Sequence, residues 1–338
     1  MLRLTELLSA RPEPLWRLVK QCGVDFIAVT LDGGEQDQRM FHSVGGQVEQ
    51  SANSARHPWS LAAISHQVDM YAEYGFTVDI IEDSPPLDSV RLGLPGRDEQ
   101  IDNFIEQVTA MGELGIPTLC YNWMAKTSWA RTSVATPARG GALVTGFRLS
   151  DAKSLTPVAG VGEISSDQLW NAFDYFLDAV LPVAEKAGVR LALHPDDPPT
   201  QVVRNVPRIM ISVDAFRRVL DTNQSSSNAI TLCQGNFALM TDDIPSVIRE
   251  FGKKNALAFV HFRDVKGTAE DFVETFHDAG QTDMVACMRA YAEIGYDGSI
   301  RPDHVPTMWG ESNDRPGYAT LGRLFALGYI RGLEQSSY

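Results

Sequence analysis

The sequence predicts a single closed (β/α)8 barrel over residues 1–338, of the TIM-barrel type, with long active-site loops after its second and fourth strands. Three observations predict it. Short β-branched or apolar runs alternate with longer helical patterns along the chain, which favours a parallel sheet covered by helices. Eight such units can be counted, the number that closes a barrel. No glycine-rich dinucleotide fingerprint follows an early strand, which weakens the alternative of an open doubly wound sheet. The 338 residues are 44% hydrophobic and 21% charged, enough apolar material for one large core and too much for a disordered chain.

In chain order the strands are expected at residues 2–5, 26–31, 78–82, 118–122, 190–194, 229–233, 258–262 and 298–301, the first being the weakest run. Helical patterns fill 15–22, 60–74, 98–114, 166–187, 213–222, 243–251, 284–294 and 320–334. Gly23, Gly75, Gly115, Gly188 and Gly295 stand at helix exits, where a left-handed cap needs a residue without a Cβ. Two connections, 32–59 and 123–164, are too long to be simple turns. Such segments are usually lids or binding loops, and both follow strand C-termini, the face where barrels keep their chemistry. The second carries Lys126, Trp129, Arg131 and Arg139, groups that suit an anionic ligand in an otherwise acidic chain.

Composition narrows the partners. With 29 Lys and Arg against 43 Asp and Glu, the net charge is −14. Nucleic-acid binding needs a basic footprint and is not expected. There is no run of about 18 apolar residues, so no membrane partner is expected. Glu6, Arg11 and Glu13 interrupt the stretch where a signal peptide needs an apolar core. Four widely spaced cysteines fit a reducing compartment better than a disulfide scaffold. The expectation is a cytoplasmic protein.

Four strand ends carry the chemistry. The fifth strand ends RLALHPDDPP, placing His194 at its C-terminus, and the sixth ends AITLCQGN, placing Cys233 there. The seventh reads LAFVHFRDV with His261, and the eighth reads SIRPDHVP with Asp303 and His304. They lie about one strand–helix–strand unit apart, and the ends of consecutive barrel strands converge on the axis. His, Cys, His and Asp meeting at one point form a divalent metal site. Each residue alone has a plainer reading: a hydrogen-bonded structural histidine, a small buried cysteine, an aspartate capping the next segment. Four such coincidences on successive strands make the joint plain reading much weaker. Two imidazoles suit zinc, iron or manganese, the thiolate leans toward zinc or iron, and the carboxylate tolerates manganese, so the residues do not choose. Asp196, Asp197 and Asp264 are candidates to accept the second N–H of a ligating histidine.

The segments LHPDDPP, TLCQGN, VHFRDVK, GYDGSIRPDH and LCYNWM…SWART resemble the mannonate dehydratase family of xylose-isomerase-like barrels, over residues 78–333 with a weak continuation to the N-terminus. The resemblance implies a divalent metal, usually Mn2+ with Fe2+, Co2+ or Zn2+ as alternatives, on His194, Cys233, His261 and Asp303. It implies His304 and Tyr318 as an acid–base pair whose individual roles stay open. It also implies substrate contacts from Asn122, Trp129, Arg131, Arg263 and His277. Arg263 taken alone could equally be an ion-pair partner on its strand.

Departures from the family pattern cluster in the substrate half: LRLTELL in the first strand, TLDGGEQDQRMF after the second, and Ala125, Ser128 and Ser133 in the long loop. The implied function is a metal-dependent hydro-lyase of a sugar acid, D-mannonate to 2-keto-3-deoxy-D-gluconate and water. The alternatives are dehydration of a different sugar acid and a sugar or sugar-acid isomerase or epimerase on the same barrel. A binding protein without activity and a metal-dependent nuclease are disfavoured, the first by the retained ligands and the second by the charge. A homo-oligomer is expected by analogy with the family alone.

Overall fold

The computed structural model describes residues 2–34, 57–155, 157–159 and 164–338. Eight parallel strands close into a barrel in sequential order: β1 Arg3–Leu8, β2 Phe26–Val29, β3 Thr77–Ile81, β4 Thr118–Asn122, β5 Arg190–His194, β6 Asn228–Cys233, β7 Leu257–Phe262 and β8 Ser299–Pro302. Closure comes from β1 pairing with β8 at Arg3↔Ser299 and Leu4↔Ile300. The first strand, expected to end at residue 5, continues to Leu8 because Thr5 through Leu8 pair in register with Phe26 through Val29.

Among the described residues, eight helices of two or more turns surround the sheet: α1 Pro14–Gln21, α2 Leu61–Glu73, α3 Arg97–Leu114, α4 Ser166–Ala187, α5 Val213–Thr222, α6 Ile244–Lys253, α7 Met284–Glu293 and α8 Thr320–Ser337. Their limits follow from local chemistry. Ser165 opens α4 with a reciprocal capping box to Gln168, and Gly188 closes it at φ 69°. The other four exit glycines also adopt positive φ, so the punctuation read from sequence marks true helix ends. No helix among the described residues is long and apolar enough to cross a membrane.

Strand alternation decides what faces the axis. In β5, Leu191 and Leu193 pack outward into the helix layer while Ala192 and His194 point in. The barrel interior is lined by small residues, Ala28, Cys120, Ala192 and Ala229, with Leu7, Ile80 and Phe259. The same alternation brings Glu82, Asn122, His194, His261 and Arg301 to one mouth.

The segment expected as a long loop at 123–164 contains a hairpin, Ser133–Pro137 with Leu143–Arg148, followed by a helical turn at Leu149–Ala152. A second hairpin, Val265–Thr268 with Asp271–Glu274, leaves the end of β7. The two join edge to edge through Phe272↔Phe147 and Val273↔Gly146 into a four-stranded antiparallel sheet over the barrel mouth. Local pattern could not reveal this sheet, because its central pairing joins residues more than a hundred positions apart. Of the other long connection, 32–59, residues 35–56 lie outside the described residues.

Close helix packing yields a test. A Cβ at Gly112 in α3 would lie 2.8 Å from both the Cβ and the carbonyl oxygen of Ala187 in α4. Gly112→Ala gains up to about 1 kcal/mol of helix propensity but overpacks this crossing. A net loss of about 1–2 kcal/mol in urea unfolding is expected.

Candidate active site at the carboxyl end of the barrel

A cleft of about 670 Å³ opens at the C-terminal ends of the strands. Of the residues singled out from sequence, Asn122, Trp129, His194, Asp197, His261, Arg263, Asp303, His304 and Tyr318 line it. Cys233, Arg131 and His277 are absent from its wall and lie behind it, all buried.

Imidazole chemistry at the centre is set by hydrogen bonds. His194 Nδ1 lies 2.7 Å from the Pro195 carbonyl oxygen, which only accepts, so Nδ1 carries the proton. The Nε2 lone pair then points at His261 Nδ1, 3.2 Å away. On the far edge of His261, Nε2 lies 3.4 Å from Glu82 Oε1. A proton on His261 Nδ1 would bridge the two rings; on Nε2, which makes no hydrogen bond to that carboxylate, it would leave both facing lone pairs free for a cation. The Cys233 sulfur completes a set of three donor atoms within 4.8 Å of one another, and Asp303 Oδ2 lies 3.6 Å from His261 Nδ1. Two facing ring nitrogens, a thiol and a carboxylate are a donor set that suits a divalent cation.

Protonation states agree with that reading. Burial, and then the neighbouring His261, pull His194 down to about 3, so it is a neutral ring. Burial pushes the Cys233 thiol up to about 12, so its thiolate needs a cation beside it. Burial works against ionised Asp303, but its neighbours His304, Arg301, His261 and Arg263 hold its carboxyl well below the usual range. Arg301 and Arg263 each donate to it at 3.0 Å. Burial and the Asp303 charge push the Tyr318 hydroxyl well up, so it stays protonated. That hydroxyl donates to Asp303 Oδ1 at 3.4 Å.

Around this centre the aromatic wall is close. The Trp129 ring stands edge-on to His304, with centroids 4.8 Å apart, and His304 and Tyr318 are 5.5 Å apart. His304 itself sits at φ 41°, a left-handed backbone unusual for a side chain of its size. Asn122 turns its Oδ1 to the Met124 amide at 3.0 Å and to Arg91. Behind the wall, Arg131 clamps Asp197 through two bonds of 2.7 and 2.9 Å and also reaches Glu274. Arg263 bridges Asp197 and Asp303, at 3.1 and 3.0 Å. Gly235 is required beside it, since a Cβ there would stand 2.2 Å from Arg263 Nε. Burial lowers His277 to about 4. Lys126 pairs with Asp88, and Arg139 with Asp278, away from the cleft.

The three carboxylates expected to support the histidines do other work. Asp196 accepts from the Ile209 and Met210 amides, and Asp264 accepts from the Val265 and Thr282 amides. Asp197 serves the two arginines. The backbone of Pro195 and the side chain of Glu82 take the places facing the imidazoles. Glu82 was overlooked, although it directly follows the third strand, at the same mouth of the barrel as His194. Arg301, two residues before Asp303, was overlooked as well.

Glu82 supplies a pH test. Burial would raise its carboxyl, but Arg301 and then His261 lower it from 4.5 to about 2. Its folded-state value is depressed, so its contribution is present above pH 4.5 and is lost as pH falls through about 2. Glu82→Gln should unfold more easily than the parent at pH 6, by a few kcal/mol. The two melting curves should converge between pH 4 and pH 2, and a gap that persists into acid would remove this ion pair from the stability of the fold.

Comparison with known proteins places the chain. The family model described as D-mannonate dehydratase (UxuA) matches residues 42–159 and 152–338. Mannonate dehydratase 2 of Halalkalibacterium halodurans is 33% identical over 286 residues, covering 77% of this chain and 82% of that one. The mannonate dehydratase of Streptococcus suis is 32% identical over 305 residues, covering 82% and 83%. The crystal structure of mannonate dehydratase from Streptococcus suis serotype 2 superposes with a TM-score of 0.86 at 30% identity, over 99% of this chain and 93% of the other. An L-ribulose 3-epimerase shares the fold alone, at 14% identity and a TM-score of 0.59. The chain belongs to the mannonate dehydratase family, metal-dependent hydro-lyases built on a (β/α)8 barrel.

Proposed function

We propose that this chain dehydrates D-mannonate to 2-keto-3-deoxy-D-gluconate and water in the cytoplasm. His194, Cys233, His261 and Asp303 would hold its divalent cation, manganese by preference, and His304 and Tyr318 would move the protons. One observation carries this reading. His304 and Tyr318, whose side chains suit proton transfer, stand together on the cleft wall beside a cluster of three donor atoms that Asp303 adjoins. Four cysteines without a disulfide partner support a reducing compartment.

Dehydration removes the C2 proton of the sugar acid and expels the C3 hydroxyl, and the resulting enol rearranges to the 2-keto product. When bound, the cation supplies positive charge to carboxylate and hydroxyl oxygens and so eases the loss of a weakly acidic proton. The chain's own groups do the rest. Tyr318, kept protonated by burial and Asp303, is suited to give its proton to the departing hydroxyl. Trp129 shields both rings on one side. Arg301 and Arg263 fix both oxygens of Asp303, so that its carboxylate does not swing into the space a substrate needs.

The direct test is incubation of the purified protein with manganese and D-mannonate while following product mass. Loss of one water supports the reading; an unchanged mass with altered stereochemistry would favour an epimerase. Chelation should abolish turnover and added manganese restore it, while Cys233→Ala should lower the metal retained per chain. Tyr318→Phe should reduce kcat by about 100-fold or more with little change in KM; retention of full kcat would strip Tyr318 of its proton.

A further inference from the structure

We propose that Glu274 is a positioning residue for His304: it accepts the Nδ1 proton of that ring and so leaves the Nε2 lone pair as the base. This rests on the acid–base reading of the site above, and it assigns the two roles that the residue types left open.

The argument is a count of hydrogens. His304 Nδ1 has two polar neighbours, Glu274 Oε1 at 3.2 Å and Arg131 Nη2 at 3.1 Å. An arginine only donates and a carboxylate only accepts, so one of them sets the tautomer. Arg131 Nη2 carries two hydrogens and faces three groups: Asp197 Oδ2 at 2.9 Å, Glu274 Oε1 at 2.5 Å and His304 Nδ1. The two carboxylate oxygens are charged and nearer, and charge-assisted bonds are the stronger ones. Its Nη1 hydrogens are taken by the Ala130 carbonyl at 2.9 Å and Asp197 Oδ1 at 2.7 Å. No hydrogen is left for the imidazole. On this count Nδ1 supplies its own, and Glu274 Oε1, 3.2 Å away, is the acceptor within reach of it.

On the other edge, His304 Nε2 lies 3.9 Å from Asp303 Oδ2, beside the candidate donor cluster. A lone pair there is placed to take the C2 proton, while the Tyr318 hydroxyl protonates the leaving group. The proton that His304 gains and the one that Tyr318 loses balance through solvent in the cleft, with no further reactant.

The accessory sheet acquires a purpose from this. Glu274 ends the strand Asp271–Glu274, pairs with Val265 across its hairpin, and follows Val273, which pairs with Gly146. Arg131 stands just before the strand Ser133–Pro137. The group that receives the proton and the guanidinium that holds it in place thus arrive from opposite excursions, and the sheet locks them together behind His304.

The test uses intact, zinc-loaded protein labelled with 15N-histidine. Long-range proton–nitrogen correlation distinguishes the two neutral tautomers, and His304 is identified among the seven histidines by its loss in His304→Gln. The expected signal is a protonated Nδ1 and a bare Nε2. In manganese-loaded protein, Glu274→Gln should lower kcat for D-mannonate about 100-fold or more while KM moves less than about threefold. Glu274→Asp, which keeps the charge, should recover at least about tenfold of that loss. A wild-type His304 protonated on Nε2 overturns the proposal, and so does a folded Glu274→Gln protein with kcat within about threefold of the parent. Should a variant not fold, the wild-type tautomer still decides. Should the wild type not turn over mannonate, the proposed function fails while the tautomer still judges Glu274.

Discussion

Arg263 lies wholly buried between two carboxylates, Asp197 and Asp303, and the demand that none of these charges be left unpaired organises much of what surrounds them. Stripping one partner from a buried ion pair costs about 3–5 kcal/mol, because the survivor keeps its desolvation penalty. Asp197 is consequently satisfied a second time by Arg131, and Arg131 in turn by Glu274. Asp303 receives Arg301, whose other donors grip Glu82. The chain of pairings runs from the third strand to the accessory sheet and encloses the cleft on its way. Gly235 is part of the same constraint, as the only residue type that leaves the guanidinium its room.

Volume inside the barrel complements this charge layer. A ring of alanines and a cysteine fills the middle of the barrel, where larger side chains would collide. Phe259 forms a floor that meets the edge of His261 and lies under Arg301. Rigid support from below and ion pairs from the side hold the imidazoles at fixed separation, the condition for a preorganised site. The barrel places the donors, and the excursions bring Glu274 and Arg131 beside His304.

Much of this was legible. The strands at 118–122 and 190–194 and the helices at 166–187 and 213–222 have the limits that apolar periodicity and capping residues indicate. His194, Cys233, His261 and Asp303 stood out because strand ends converge in a barrel whatever the details of packing. Glu82 obeys the same rule and escaped notice because one glutamate in an acidic chain carries no signal. Asp196, Asp197 and Asp264 looked alike in sequence and differ in role only through what folds against them. His277 and Arg131 show the same limit: both are buried behind the cleft wall, a fact set by the accessory sheet and the arginine cluster.

The sequence by itself determined the alternation of strand and helix, the number of units and the meeting of chemically potent residues at one end of the barrel. Those properties are carried by local periodicity and by spacing along the chain. Only the tertiary structure decided which carboxylate serves which cation, which groups face each imidazole, and that two distant hairpins form one sheet. Pairings of that kind depend on distances of a few tenths of an ångström between residues far apart in the chain. They are chosen by the cost of an unpaired buried charge, a quantity that exists only once the chain has closed around it.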